Sequence, residues 1–330
     1  MRLNAIGLLL ILGFLVAPLA LDAQPRGHIP VVGVLRLGNL SADLDPKSSW
    51  NVFRQGLREC GYVEGQTIRL EYRYAEWQLD RLSALAAALV QLQPDVLVTN
   101  STPGALAAKQ ATTTIPIVVI AAADMVADGI VASLARPGGN ITGQHFWDLD
   151  LAGKRLELLK AAVPSLTQVA VLVDATNRSY DRMPGQIAAE AQALGVRLQR
   201  VEVGEVGTFD HAFATIARSG AEALLIMDSA RVYTHRQRIL EFARTQRLPT
   251  ICGVRPYAEA GCLMAYAPDH FEMYHHAAVF VDKILHGTQP GDLPVERPAK
   301  FELAINLKTA QALGLTMPPA VLFQADEVLR

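Results

Sequence analysis

The stretch Asp80-Arg-Leu-Ser-Ala-Leu-Ala-Ala-Ala-Leu-Val-Gln-Leu92-Gln-Pro94-Asp-Val96-Leu-Val-Thr99-Asn100-Ser101-Thr102-Pro-Gly104-Ala-Leu-Ala-Ala-Lys-Gln110 decides the fold. Leu82, Leu85, Leu89 and Leu92 recur at helical spacing, so Asp80–Leu92 reads as a helix, and Pro94 stops it. Val96–Thr99 is a short, continuous apolar run of the kind found in strands buried on both faces of a parallel sheet. A polar, glycine-containing turn then opens a second helical composition, Ala105–Gln110. Helix, buried strand and helix in this order are one segment of an alternating α/β chain.

The rhythm extends in both directions. Val31–Leu35, Ile68–Tyr72 and Ile117–Ala121 are further strand candidates, and Trp50–Cys60 is a helix closed by Gly61. A second set follows: strands at Val169–Val173, Arg197–Val203, Ala223–Met227 and Thr250–Gly253, with helices near Gly185–Leu194, Phe209–Arg218 and Tyr233–Gln246. Two such sets imply two Rossmann-like, doubly wound lobes. The turn formers Arg136-Pro-Gly-Gly-Asn140 mark the expected join. A late helix, Phe271–His286, and a late strand, Phe301–Asn306, are expected to return to opposite lobes through a multi-strand hinge. The expected division is 24–142 with 264–292 in the first lobe and 143–263 with 293–330 in the second.

The 330 residues are 51% hydrophobic, with 30 basic and 32 acidic side chains. The length suits two cores, because one rarely grows past about 250–300 residues. A formal net charge of -2 gives no basic field for a phosphate backbone, so nucleic acid is not an expected partner. Residues 1–23 read as a cleaved signal peptide: Arg2 precedes an uncharged run from Leu3 to Leu21, and Ala23 offers a small residue at the cleavage point. A retained anchor is the alternative, since the run approaches the roughly 20 residues that span a bilayer. The expected location is the periplasm. An oxidising compartment would allow Cys252 and Cys262 to pair; otherwise they are small buried side chains. No Cys or His spacing supports a structural metal, and no cofactor is expected.

Ligands of open α/β sheets bind beyond the carboxyl ends of the strands. No dinucleotide fingerprint, phosphate loop, zinc-protease helix or nucleophile elbow occurs there, so catalysis is not expected. The Asn100-Ser101-Thr102 helix start presents backbone N–H groups and hydroxyls suited to an anion, or to ordinary capping. Asp174-Ala-Thr176-Asn177 stands at the equivalent place in the second set. Asp124 and Asp228 end two other strands, where a carboxylate either meets a ligand ammonium or caps the next helix. Tyr180, Tyr233 and Tyr257 lie in second-lobe loops where a ring can stack on a ligand.

Several separated segments agree in order with one family. They are Gly56-Leu-Arg-Glu-Cys-Gly-Tyr-Val-Glu-Gly65, Thr102-Pro-Gly-Ala-Leu-Ala-Ala-Lys-Gln-Ala-Thr112, Val131-Ala-Ser-Leu-Ala-Arg-Pro-Gly-Gly-Asn-Ile-Thr-Gly143, Gly153-Lys-Arg-Leu-Glu-Leu-Leu-Lys160 and Phe301-Glu-Leu-Ala-Ile-Asn-Leu-Lys-Thr-Ala310. Over residues 30–328 the chain resembles the ABC-transporter substrate-binding proteins that include tryptophan- and tyrosine-binding members. The resemblance implies a type I periplasmic-binding-protein fold, a monomer that hands a small polar ligand to a permease and ATPase of the inner membrane. The ligand implied is an amino acid, aromatic or branched. By position, Ser101 and Thr102 would take a ligand carboxylate and Asp228 a ligand amine, with Asn100, Asp124, Thr176, Asn177 and Tyr257 around them. The chain departs from the family at Ala123-Asp124-Met125-Val126, at Thr176-Asn177 and at Ser101, where relatives show Gly-Asp-Pro-Val, Asn-Pro-Asn and glycine. A sensory protein docking on a membrane receptor, or an α/β enzyme, are the alternative readings.

Overall fold

The computed structural model describes residues 28–40, 48–146, 151–176, 180–181, 183–204, 208–298 and 300–330. The expected signal peptide lies outside them. In chain order the first lobe holds β1 (Val31–Arg36), α1 (Ser49–Glu59), β2 (Arg69–Tyr74), α2 (Leu82–Gln91), β3 (Val96–Thr99), α3 (Thr102–Ala111), β4 (Ile117–Ala122) and β5 (Ile141–His145). The second holds α4 (Ala152–Ala162), β6 (Gln168–Asp174), α5 (Met183–Ala193), β7 (Arg197–Val203), α6 (Thr208–Ser219), β8 (Ala223–Ile226), α7 (Ala230–Thr234), α8 (Arg236–Thr245), β9 (Thr250–Cys252), α9 (Pro256–Glu259) and β10 (Met264–Pro268). Then α10 (His270–Leu285) returns to the first lobe, and β11 (Phe301–Asn306), α11 (Leu307–Leu313), α12 (Pro319–Phe323) and β12 (Glu327–Leu329) complete the second.

The first sheet has the order β2-β1-β3-β4-β5, its paired strands all parallel. The second runs β12-β11-β10-β9-β8-β6-β7, and β11 is antiparallel to β10. The central strands β1, β3, β6 and β8 are buried over all or nearly all of their lengths, which is why they read as apolar runs. Helix α1 starts on the Ser48 hydroxyl, which accepts from the Trp50 N–H, and ends where Gly61 takes a φ of +91°. It lies tightly on α10: a Cβ added to Gly56 would come within 2.7 Å of the His275 carbonyl oxygen, so only glycine allows the contact.

The structure moves the expected lobe boundaries. Arg136–Asn140 is not the join but a turn into β5, whose Ile141 to Gly143 pair with Ile117 to Val119 of β4. Residues 143–145 therefore belong to the first sheet. Met264–Pro268, assigned above to the first lobe, pairs with β9 and β11 of the second. Residues 293–296, expected in the second lobe, lie against the first: the Thr142 hydroxyl donates to the Leu293 carbonyl, and the Glu296 N–H donates to Gly143. The first lobe is thus 28–146 with 270–298, and the second is 151–268 with 300–330. Two of the passages between them are tied side by side, since Lys300 Nζ lies 2.8 Å from Asp269 Oδ2 and the Asp269 N–H donates to the Lys300 carbonyl.

A disulfide joins Cys252 to Cys262, and both cysteines are fully buried. It closes the loop that carries α9 from the end of β9 back to the start of β10.

Candidate functional site

Segments that follow strands of the two sheets meet at one aromatic contact. The loop after β2 carries Trp77 and the segment after β8 carries Tyr233, and their ring centroids lie 5.5 Å apart. Trp77 is held out by an unusual backbone. Glu76 and Trp77 take φ values of +53° and +65°, and their N–H groups donate to Gly38 and Leu37 at the end of β1. Non-glycine residues pay strain for this conformation, so the surrounding hydrogen bonds must impose it.

In the first lobe, Ser101 caps α3, the ordinary role weighed above for this helix start. The Ser101 Oγ accepts from the Gly104 N–H at 3.2 Å, and the Thr102 Oγ1 accepts from the Ala123 N–H at 3.1 Å. A hydroxyl whose lone pair is taken by an N–H still has its own hydrogen to donate. Both hydroxyls thus keep a hydrogen to donate beside a helix start, where negative charge is favoured. Gly104 permits the tight approach of helix to strand, since a Cβ there would lie 2.2 Å from the Thr99 hydroxyl oxygen. Asn100 donates from Nδ2 to the Tyr274 hydroxyl of α10 at 2.7 Å, which fixes its amide at the same edge.

In the second lobe, Asp174 ends β6 and Asp228 follows β8. The Asp228 side chain is 13% exposed, its carboxylate 3.9 Å from Arg155 Nη2, and its carbonyl accepts from the Tyr180 hydroxyl. Asp174 receives the Ser229 hydroxyl at 2.9 Å and lies 3.6 Å from Arg231 Nε. Tyr233 stands over these groups with the Arg236 guanidinium 4.2 Å from its ring centroid. Burial first, and the nearby Asp228 carboxylate as well, push its hydroxyl above the ordinary tyrosine range against the pull of Arg236. At the start of α10, burial and then the positive charge of Arg36 push His270 down to about 4, so it is neutral near pH 7.

The eight residues singled out from the sequence fare differently. Asn100, Ser101 and Thr102 come together as one edge. Asp228 ends β8 on the facing lobe, near Tyr233. The Asp124 Oδ1 accepts from the Val126 and Ala127 N–H groups and so closes a turn, where the alternative weighed above was a helix cap. Thr176 uses its N–H and hydroxyl on Asp174 Oδ1 and serves as a local brace. Asn177 lies outside the described residues. Tyr257, expected in a loop with a ring to stack, is instead in α9 and fully buried, edge-to-face beneath Tyr233 at 5.5 Å. The ring at the cleft is that of Tyr233, half-buried on α7. Tyr180 is likewise fully buried. Trp77, Tyr274 and Arg155 were not singled out, because each acquires its place through a contact with a distant segment.

A family model described as ABC transporter substrate binding protein matches residues 47–329. A tyrosine-binding protein of Clostridioides difficile (strain R20291) is 25% identical over 264 residues, covering 80% of this chain and 75% of that one. A conserved domain protein from Vibrio cholerae superposes with a TM-score of 0.82 at 26% identity, over 91% of this chain and all of the other. The ABC domain from Streptococcus pneumonia, solved in complex with L-Trp, gives a TM-score of 0.83 at 23% identity over 92% of this chain and all of that one.

Proposed function

The chain belongs to the ABC transporter substrate binding protein family and has the two-lobed type I periplasmic-binding-protein fold, and from that premise we propose that it captures an aromatic amino acid for import. The observation that supports this reading is the Trp77–Tyr233 ring contact between segments that follow strands of the two sheets, with hydroxyls at Ser101 and Thr102 on one lobe and a carboxylate at Asp228 on the other. A carboxylate, an ammonium and a ring are the three groups such a set would recognise.

Binding would be coupled to closure. A ligand that touches both lobes binds the closed arrangement more tightly than the open one, and only that difference can shift the population. The closed surface would then be read by a membrane permease driven by an ATPase, with the protein working outside the cytoplasm, in the periplasm. Asn100 would position the first-lobe edge through Tyr274. Asp124 and Thr176 would shape the loops around the ligand. No bond of the ligand changes in this cycle.

Isothermal titration of the purified chain with L-tryptophan, L-tyrosine, L-phenylalanine and L-leucine tests the reading. Saturable 1:1 binding of an aromatic amino acid is expected. Binding of leucine with no aromatic ligand bound would overturn the aromatic assignment, and no binding to any of the four would overturn the amino-acid assignment altogether.

A further inference from the structure

Arg155 is fully buried on α4, between the core leucines of that helix, yet it carries a permanent charge. Its Nε donates to the Tyr266 carbonyl at 2.8 Å, which fixes the guanidinium against β10, and its Nη2 points to Asp228 Oδ2 at 3.9 Å. On the other side, Asp228 fills space that only glycine leaves open: a Cβ on Gly253 would lie 1.3 Å from Asp228 Oδ2 and 3.0 Å from Arg155 Nη2. The carboxylate is therefore boxed in by a dry cation and a bare backbone. Asp174, the other carboxylate at this edge, faces Arg231 at 3.6 Å. Asp228 and Asp174 thus each lie near an arginine.

We propose that Arg155 is a positioning residue that aims the Asp228 carboxylate at the cleft and cancels its net charge, so that the site selects a zwitterion over a net cation. This rests on the reading that the ligand lies between the lobes. An isolated carboxylate attracts any cation at long range, whereas a paired one presents a dipole whose field dies away within a few ångströms. A short hydrogen bond from a ligand ammonium survives that pairing, but the ligand's positive charge must then be balanced by its own carboxylate, at Ser101 and Thr102. Arginine suits the position because burial does not remove its proton and its planar fork serves Tyr266 and Asp228 together, as a lysine could not.

Two measurements decide it. The first needs no ligand: thermal melting of Arg155→Met, Asp228→Asn and the double variant. Each single change removes one side of this ion pair, so the double variant should lose less in Tm than the sum of the singles. Additive losses would overturn the pairing, and Arg155→Lys, which retains the charge, provides the comparison if Arg155→Met does not fold. The second compares L-tyrosine with L-tyrosinamide, which lacks the carboxylate charge. The wild type should prefer L-tyrosine, and in the Arg155 variant that preference should fall by about tenfold, because Asp228 without the Arg155 charge attracts the cation more strongly. Equal weakening of both probes would mean that Arg155 acts only on folding. If the wild type binds neither probe, the aromatic amino-acid reading fails, while the melting cycle still decides whether Arg155 holds Asp228.

Discussion

Asp228→Asn keeps the size of the side chain and removes its charge. Affinity for an amine-bearing ligand should fall by about 1.5–3 kcal/mol, the worth of a charged hydrogen bond, read by titration against the best-binding amino acid. An unchanged affinity would return Asp228 to a purely architectural role at the start of α7. This residue was legible because a carboxylate directly after an apolar strand is conspicuous. Arg155 was not, because a charged residue on a helix reads as solvated until the fold covers it. Trp77 was equally hidden: its two successive left-handed residues are Glu and Trp, which give no glycine signal for the turn.

Elements were readable in proportion to how uniformly they were buried. Val96–Thr99, Arg197–Val203 and Phe301–Asn306 match the expected spans. β5, Ile141-Thr-Gly-Gln-His145, was missed because three of its five residues are polar or ionisable and one is glycine, although all five are buried. β10, Met264-Ala-Tyr-Ala-Pro268, was missed because alanine and proline are poor strand formers, and its place is set by pairing with β11 across a whole intervening helix. Gly143 is decisive for β5: its φ is +140°, and a Cβ would lie 2.0 Å from the Val119 carbonyl oxygen. Gly143→Ala should therefore cost roughly 3 kcal/mol or more in denaturant unfolding. The Cys252–Cys262 bridge, left open by the sequence, restrains a short loop. Replacing both cysteines with alanine should cost about 2–4 kcal/mol by the same measurement, and no loss would show the bridge to be dispensable.

At the scale of the molecule, the passages between lobes carry a group sensitive to pH. Glu302 on β11 is pushed up to about 7 by burial first and then by Asp269, with Glu327 adding to the rise while Arg255 and Lys300 oppose it. An unfolded chain releases this proton near 4.5. Between about 4.5 and about 7 the folded protein thus holds a proton that the unfolded chain has lost, so this group's contribution to stability declines as pH rises through that window. Glu302→Gln should raise Tm more at pH 7.5 than at pH 5, which melting curves at the two values would show. An equal effect at both would mean that Glu302 titrates as an ordinary carboxylate. The two-lobed plan was legible because the α/β rhythm repeats. The crossing points were not: Arg136–Asn140 has the composition of a linker, but Gly138 and Gly139, both at positive φ, serve a turn within one lobe.

The return of α10 to the first lobe has a temporal consequence. During synthesis the first 146 residues emerge with β1 to β5 complete, yet the face of α1 around Gly56 has no cover until residues 270–285 arrive. The second lobe waits longer still, because β10 gains its antiparallel neighbour only with Phe301–Asn306. Neither lobe can finish as an independent unit while the chain is still growing. The long sequence separation of these pairings should make maturation slow and concerted, with the last fifth of the polypeptide acting as the trigger for both halves.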